Sequence, residues 1–201
     1  APLPGVEVRI ADDGEVLIKS PGQFSGYYKQ PELTAESFTA DGYFRTGDLG
    51  ERRADGLLKL TGRKKELFKT AKGKYVAPAP IENQINASGL VELAMVSGAG
   101  HTAPYALIVL AEDLRARLAD EAQRAATRGD VQQRLSALLD RVNAKRPTHE
   151  RLQMIVVARE PWTIDNGCLT PTMKIRRARI EQACAAEVER WYASGQRVVW
   201  A

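Results

Sequence analysis

Apolar and polar positions alternate through Val6-Glu7-Val8-Arg9-Ile10, and a second β-rich run follows at Glu15-Val16-Leu17-Ile18-Lys19. Period-two patterning with aliphatic residues predicts two strands, and the intervening Ala11-Asp12-Asp13-Gly14 carries an Asp-Gly turn, so the pair reads as a hairpin. An aromatic, loop-like stretch comes next, Pro21 to Tyr28, and a short helix is expected to begin within Pro31 to Phe38. Asp41-Gly42 then turns the chain into Arg45-Thr46-Gly47-Asp48-Leu49, and Asp55-Gly56 turns it into Leu57-Leu58-Lys59-Leu60-Thr61. The first third is therefore expected to be mostly β.

After Gly62-Arg63-Lys64-Lys65 the pattern changes. A helix is predicted over Pro80 to Ala87, strands over Glu92 to Ser97 and Tyr105 to Leu110, and a polar helix over Leu114 to Ala126 that stops before Arg128-Gly129. Asp130 is then expected to cap a second helix with Val131, Leu135, Leu138, Leu139 and Val142 along one face. Leu152 to Val157 reads as a buried strand, Asp165 to Thr172 as a loop, and the terminal segment as a helix with Ile180, Cys184, Val188 and Trp191 on one face. The fold class expected is α+β, without internal repeats.

Length and composition narrow the function classes. The chain has 201 residues, enough for one large domain or two small ones. Hydrophobic residues at 44% and charged residues at 27% argue against a disordered or fibrous chain. No apolar run approaches the ~20 residues of a transmembrane helix, and the start Ala1-Pro2-Leu3-Pro4-Gly5 has no cationic, apolar secretory signal. Cys168 and Cys184, with only His101 and His149 beside them, make neither a disulfide framework nor a zinc site, so no metal site is expected and a reduced cytoplasmic compartment is. Cys168 is expected to be a loop thiol and Cys184 a core residue. Lys and Arg exceed Asp and Glu by 29 to 25, and the lysine cluster lacks an aromatic platform, so nucleic acid is not an expected partner.

Several residues have chemistry worth weighing, each against a plainer role. Asp48, in Thr46-Gly47-Asp48, can accept two hydrogen bonds from the vicinal hydroxyls of a ribose, but these three residues taken alone favour a turn aspartate bonding its own backbone. Arg63 offers a guanidinium fork to a phosphate or hydroxyl pair, or a surface salt bridge. Lys64, Lys65, Lys69, Lys72 and Lys74 surround Gly73, where the backbone can approach a ligand closely, although a solvated loop has the same composition. Lys174 follows a loop and opens a helical pattern, which suits either a long cationic arm or simple solubility.

The order of these motifs carries more than any one of them. Glu15-Val16-Leu17-Ile18, Ser25-Gly26-Tyr27-Tyr28, Thr34-Ala35-Glu36-Ser37-Phe38, Asp41-Gly42-Tyr43-Phe44-Arg45-Thr46-Gly47-Asp48 and Gly62-Arg63-Lys64-Lys65-Glu66-Leu67 are followed by Gly73-Lys74-Tyr75-Val76-Ala77-Pro78, Ile81-Glu82 and Leu169-Thr170-Pro171-Thr172-Met173-Lys174. In this series the chain resembles the acyl-adenylate-forming, AMP-binding superfamily of acyl-CoA synthetases, peptide adenylation domains and beetle luciferases. The ending Thr-Pro-Thr-Met-Lys-Ile-Arg-Arg looks most like long-chain fatty acyl-CoA synthetases.

The resemblance implies ATP, AMP, a fatty acid and coenzyme A as ligands, with Mg²⁺ in the complete enzyme. Asp48 matches the ribose-binding aspartate, Arg63 the arginine beside it, and Lys174 the catalytic lysine of adenylation. Lys65 matches the hinge, and Lys72, Gly73 and Lys74 the loop along the thiol's path. The Gly/Ser/Thr-rich phosphate loop, the glutamate-bearing magnesium motif and a fatty-acid tunnel are absent, and Met173 stands where many members have glycine. The resemblance thus implies residues 1–64 as the β-rich end of a large N-terminal domain and 65–201 as a mobile α+β lid. The missing N-terminal portion of the same polypeptide is the expected partner, and this piece alone is expected to be inactive. A ligase for another carboxylate class, and a non-catalytic interaction or nucleotide-binding module, are the alternatives. Peripheral association with the inner face of a membrane is compatible with the resemblance.

Overall fold

The structure, a computed structural model, describes residues 2–201. The chain separates into two compact units, one ending at Leu67 and the other spanning Phe68–Ala201.

In the first unit, β1 (Glu7–Ile10), β2 (Glu15–Lys19), β3 (Phe44–Arg52) and β4 (Leu58–Arg63) form a four-stranded antiparallel sheet in sequence order. The expected β1–β2 hairpin closes through Ala11 N–H to Glu15 O and Gly14 N–H to Ala11 O, both 2.9 Å. Helix α1 (Pro31–Ser37) starts on a proline, whose missing N–H is no loss in a first turn, and buries no residue. Val16, Leu17 and Leu49 are the buried apolar residues. Phe24, Phe38 and Phe44 form a separate aromatic cluster with ring centroids 5.2 to 5.7 Å apart. A bulge at Leu49–Gly50 re-aims β3, and a Cβ on Gly50 would stand 2.7 Å from the Val16 side chain, so the close approach of β2 requires glycine there.

The second unit opens with a two-stranded hairpin, β5 (Phe68–Lys69) and β6 (Tyr75–Val76), then α2 (Pro78–Asn86). Its main sheet has the order β7–β8–β9–β10, built from β7 (Val91–Ser97), β8 (Tyr105–Leu110), β9 (Ile155–Val157) and β10 (Val198–Trp200). The β7–β8 pair is antiparallel, whereas β8, β9 and β10 run parallel. Helices α3 (Glu112–Ala119) and α4 (Glu121–Asn143) connect β8 to β9, and α5 (Arg177–Ala193) connects β9 to β10. The two connections land on opposite faces. Ala106, Ile108 and Leu110 of β8 pack with α2 and α4, while Tyr105, Leu107 and Val109 pack with Ile180, Val188 and Trp191 of α5. All six β8 residues are buried, as a strand covered on both faces must be.

The helical boundary expected at Arg128-Gly129 is not there. α4 runs unbroken through Gly129 and Asp130, and its N-cap is Asp120, whose Oδ1 accepts the Ala122 N–H at 2.9 Å. A mid-helix glycine costs about 1 kcal/mol relative to alanine. That is outweighed by the apolar stripe Val131, Leu135, Leu138, Leu139 and Val142, all buried, which continues the face that Thr127 begins. The strand expected over Leu152 to Val157 contracts to Ile155–Val157, because the Asn143 side chain takes both backbone groups of Leu152 at 2.8 Å. The β5–β6 hairpin and β10 are too short to show a pattern. Cys168 is buried although it lies in a loop, and Cys184 is half-buried. Among the described residues no helix is long and apolar enough to cross a membrane.

Candidate functional site

Asp48 and Arg63 occupy facing positions of β3 and β4, and Arg63 Nε lies 3.0 Å from Asp48 Oδ1. The turn before Asp48 is fixed from two sides. Thr46 Oγ1 donates to Val16 O at 2.7 Å and accepts the Asp48 N–H at 3.0 Å, while the Gly47 N–H donates to Glu15 Oε1 at 3.1 Å. Gly47 has φ +71°, the left-handed conformation that glycine adopts without strain. The backbone thus satisfies itself without the Asp48 carboxylate, which remains 28% exposed and retains acceptor capacity beyond its contact with Arg63.

Glu15 organises this corner. Its side chain is only 4% exposed and receives, besides Gly47, Arg45 Nη1 at 3.4 Å and Lys64 Nζ at 3.2 Å. A buried carboxylate is tolerable only with such partners. Lys64 also reaches Asp13 at 2.6 Å, and these two acceptors raise the lysine's pKa as Lys64 lowers that of Asp13. The sequence pattern missed Glu15 because an acidic residue opening an aliphatic run looks like the solvent-facing member of an alternation. Lys65 is next, exposed, within a 3-10 turn, Lys64–Glu66, that ends the β4 segment.

In the second unit, Lys72, Gly73 and Lys74 form the tip of the β5–β6 hairpin. The Thr70 N–H donates to Lys74 O, the Gly73 N–H to Thr70 O, and the Lys74 N–H to Thr70 Oγ1 at 3.3 Å, with Gly73 at φ +75°. Ala71 N–H to His101 O and Gly100 N–H to Lys69 O tie this tip to the turn between β7 and β8. Both lysine side chains are exposed.

Lys174 ends a second turn of the same construction. Thr170 N–H donates to Lys174 O, Met173 N–H to Thr170 O and Lys174 N–H to Thr170 Oγ1 at 3.1 Å, and Leu169 pairs with Ile175 behind it. The residue at the left-handed position is Met173, φ +60°, where the first turn has Gly73. Lys174 is exposed and has no ion pair among the described residues. Three residues on, Arg177 anchors the turn: its Nη1 donates to Val96 O at 2.9 Å and its Nη2 lies 2.8 Å from Glu82 Oε1, which also accepts the Val96 N–H at 2.7 Å. Glu82 of α2, Val96 of β7 and Arg177 of α5 therefore fix the base from which Lys174 projects. Within the second unit no hydrogen bond or ion pair joins the two lysine turns among the described residues.

A family profile described as AMP-binding enzyme C-terminal domain matches residues 66–196. The chain belongs to that family. It is 38% identical over 199 residues to a long-chain-fatty-acid–CoA ligase of Mycobacterium tuberculosis, covering 95% of this chain and 33% of the relative. The human long-chain-fatty-acid–CoA ligase 1 is 31% identical over 216 residues, covering 96% of this chain and 31% of the relative. Among solved structures, the adenylation domain of a carboxylate reductase from Mycobacterium chelonae superposes with a TM-score of 0.77 at 29% identity, over 94% of this chain and 31% of that one. The chain thus spans about a third of the length of the curated relatives it matches.

Proposed function

We propose that this chain is the C-terminal portion of an ATP-dependent, AMP-forming long-chain fatty-acid–CoA ligase. The observation that carries the reading is the match to long-chain-fatty-acid–CoA ligases along 95% of the chain. In the first half-reaction a fatty-acid carboxylate oxygen attacks the α-phosphorus of ATP, the bond to the bridging oxygen breaks, and pyrophosphate leaves. In the second, the sulfur of coenzyme A attacks the acyl carbon and AMP leaves.

In this reading Asp48 accepts hydrogen bonds from the ribose diol and Arg63 holds the aspartate while offering its remaining donors to the same sugar. Its support is the free acceptor capacity of Asp48. Lys174 is the catalytic residue of adenylation, a mobile cation brought to oxygens on which negative charge accumulates. Lys65 is the hinge about which the second unit turns between half-reactions, and the Lys72–Lys74 tip lines the pantetheine path. Mg²⁺ would accompany ATP in the complete enzyme, held largely by the nucleotide's phosphates; among the described residues no cluster of three or more acidic, histidine or cysteine side chains could hold a metal. The setting is cytoplasmic, a compartment in which the unpaired Cys168 and Cys184 stay reduced.

The test uses the complete parent polypeptide beside this 201-residue piece. Palmitate-dependent pyrophosphate release and palmitoyl-CoA formation by the parent, and neither by the piece, are expected. Activity of the parent with aromatic acids and none with palmitate would favour the second reading, a ligase or adenylating domain for another carboxylate. The fold shared with the carboxylate reductase domain supports that alternative.

A further inference from the structure

The carboxyl ends of the three parallel strands open into a groove of about 490 Å³ that the adenylation residues do not touch. Leu110, Val157 and Trp200, the last residues of β8, β9 and β10, line it, together with Leu118 and Pro161. In open sheets of parallel strands the crevice outside the carboxyl ends is the usual ligand position. The Lys72–Lys74 tip is bonded instead to the turn that precedes β8, at the strand's opposite end, about 17 Å away for six residues of strand.

The rim is cationic. Arg115, Arg124, Arg128 and Arg159 line the groove and no acidic side chain does, the one anionic group in the lining being the carboxylate of Ala201, the last residue of the chain. Two of the four are already engaged: Arg115 with Glu92 and Leu110 O, and Arg124 with the final carbonyls of α3, Leu118 O and Ala119 O. Arg128 lies over the Trp200 ring, 4.5 Å from its centroid, and has no hydrogen-bond or ion-pair partner among the described residues; Arg159 has none either. The indole is held in place by its own N–H, which donates to Gln132 Oε1 at 2.7 Å. Arg159 also borders the cavity on the other face of the same sheet end, whose lining differs in including the acidic residues Glu160 and Glu187 beside Arg179.

We infer that the arginine-rimmed groove is a binding site for an alkyl anion, a carboxylate or phosphate head on a compact apolar chain, separate from the adenylation site. The guanidinium N–H groups of Arg128 and Arg159, which no acceptor among the described residues takes, suit such a head, and exposed arginines alone hold an anion weakly, so the apolar residues Leu110, Leu118, Pro161 and Trp200 must supply the rest. Carboxylate and phosphate heads share this chemistry.

Calorimetric titration of this chain with dodecanoate, dodecyl phosphate, dodecanol and inorganic phosphate tests it. Saturable binding of one or both alkyl anions is expected, with dodecanoate or dodecyl phosphate identifying the preferred head. Dodecanol and inorganic phosphate should each bind at least tenfold more weakly. The double variant Arg128→Gln/Arg159→Gln, with its melting temperature checked, should raise the Kd at least tenfold, Arg128→Lys/Arg159→Lys should weaken binding less, and Lys174→Ala should leave the Kd unchanged. Equal binding of dodecanol, equal binding of inorganic phosphate, an unaltered Kd in the folded double glutamine variant, or loss of binding in Lys174→Ala would each overturn the proposal. None of these outcomes bears on fatty-acid activation by the parent, which the preceding experiment tests separately.

Discussion

Asp48 and Arg63 sit directly opposite each other on β3 and β4, joined Oδ1 to Nε at 3.0 Å, yet neither is needed to close the turn beside them. Thr46 and Glu15 do that, leaving a carboxylate and a guanidinium displayed at a rigid corner. An exposed ion pair of this kind adds at most about 1 kcal/mol to stability. Asp48→Ala should therefore leave the melting temperature nearly unchanged while raising the parent enzyme's KM for ATP about ten- to a hundredfold, the loss of about 1.5 to 3 kcal/mol from hydrogen bonds to a charged group. Initial rates against ATP concentration check this, and an unaltered KM would remove Asp48 from the ribose site.

Met173 holds a left-handed conformation that costs a side-chain-bearing residue roughly 1–2 kcal/mol. Met173→Gly should stabilise the chain by about 0.5–1 kcal/mol after glycine's greater unfolded freedom is subtracted, and Met173→Val should destabilise it. Urea unfolding at constant m-value measures both.

Asp120, not Asp130, caps α4. Asp120→Ala should cost about 1 kcal/mol, whereas Asp130→Ala, which removes only an exposed contact with Arg134, should cost a few tenths. Chemical denaturation of the two variants separates the structure from the boundary expected at Gly129.

Asp41 is held down to about 2, first by the neighbouring Thr39 hydroxyl and then by Arg9, whose Nη1 donates to its Oδ2 at 2.8 Å. Its folded pKa lies below its unfolded value, so the stabilisation is complete above about pH 4 and is lost as pH falls through about 2. Asp41→Asn should flatten the fall of stability between those limits and change little at pH 7. Thermal melts across pH 2 to 5 check the slope.

These variants also show what the sequence made legible. The buried face of α4 from Val131 to Val142 and the α5 stripe with Ile180, Val188 and Trp191 follow from periodicity, because each buries one face against a large partner surface, while the β1–β2 hairpin follows from its β-rich runs and the Asp-Gly turn between them. The α3–α4 boundary was misplaced because Gly129 is a local signal overridden by tertiary packing. β10 and the β5–β6 hairpin escaped notice because three- and two-residue strands draw their stability from neighbours rather than from a pattern of their own. At the candidate site, the pairing of Asp48 with Arg63 depends on the β3–β4 register and its bulge at Gly50, which no local motif specifies. Glu15 and the Glu82–Arg177 link were invisible for the same reason, since their meaning lies in partners 30 or more residues away.

The central claim is that Lys174 serves adenylation while Lys65 serves the change between half-reactions. Single-turnover assays of the folded parent enzyme, with melting temperatures matched, test it most directly. Lys174→Ala should slow acyl-adenylate formation a hundredfold or more, the range that loss of a preorganised transition-state contact produces, and leave thioester formation from supplied acyl-adenylate within a fewfold of normal. Lys65→Pro, which fixes φ at the proposed hinge, should show the opposite bias. Equal loss in both half-reactions for Lys174→Ala, at unchanged stability, would contradict the account.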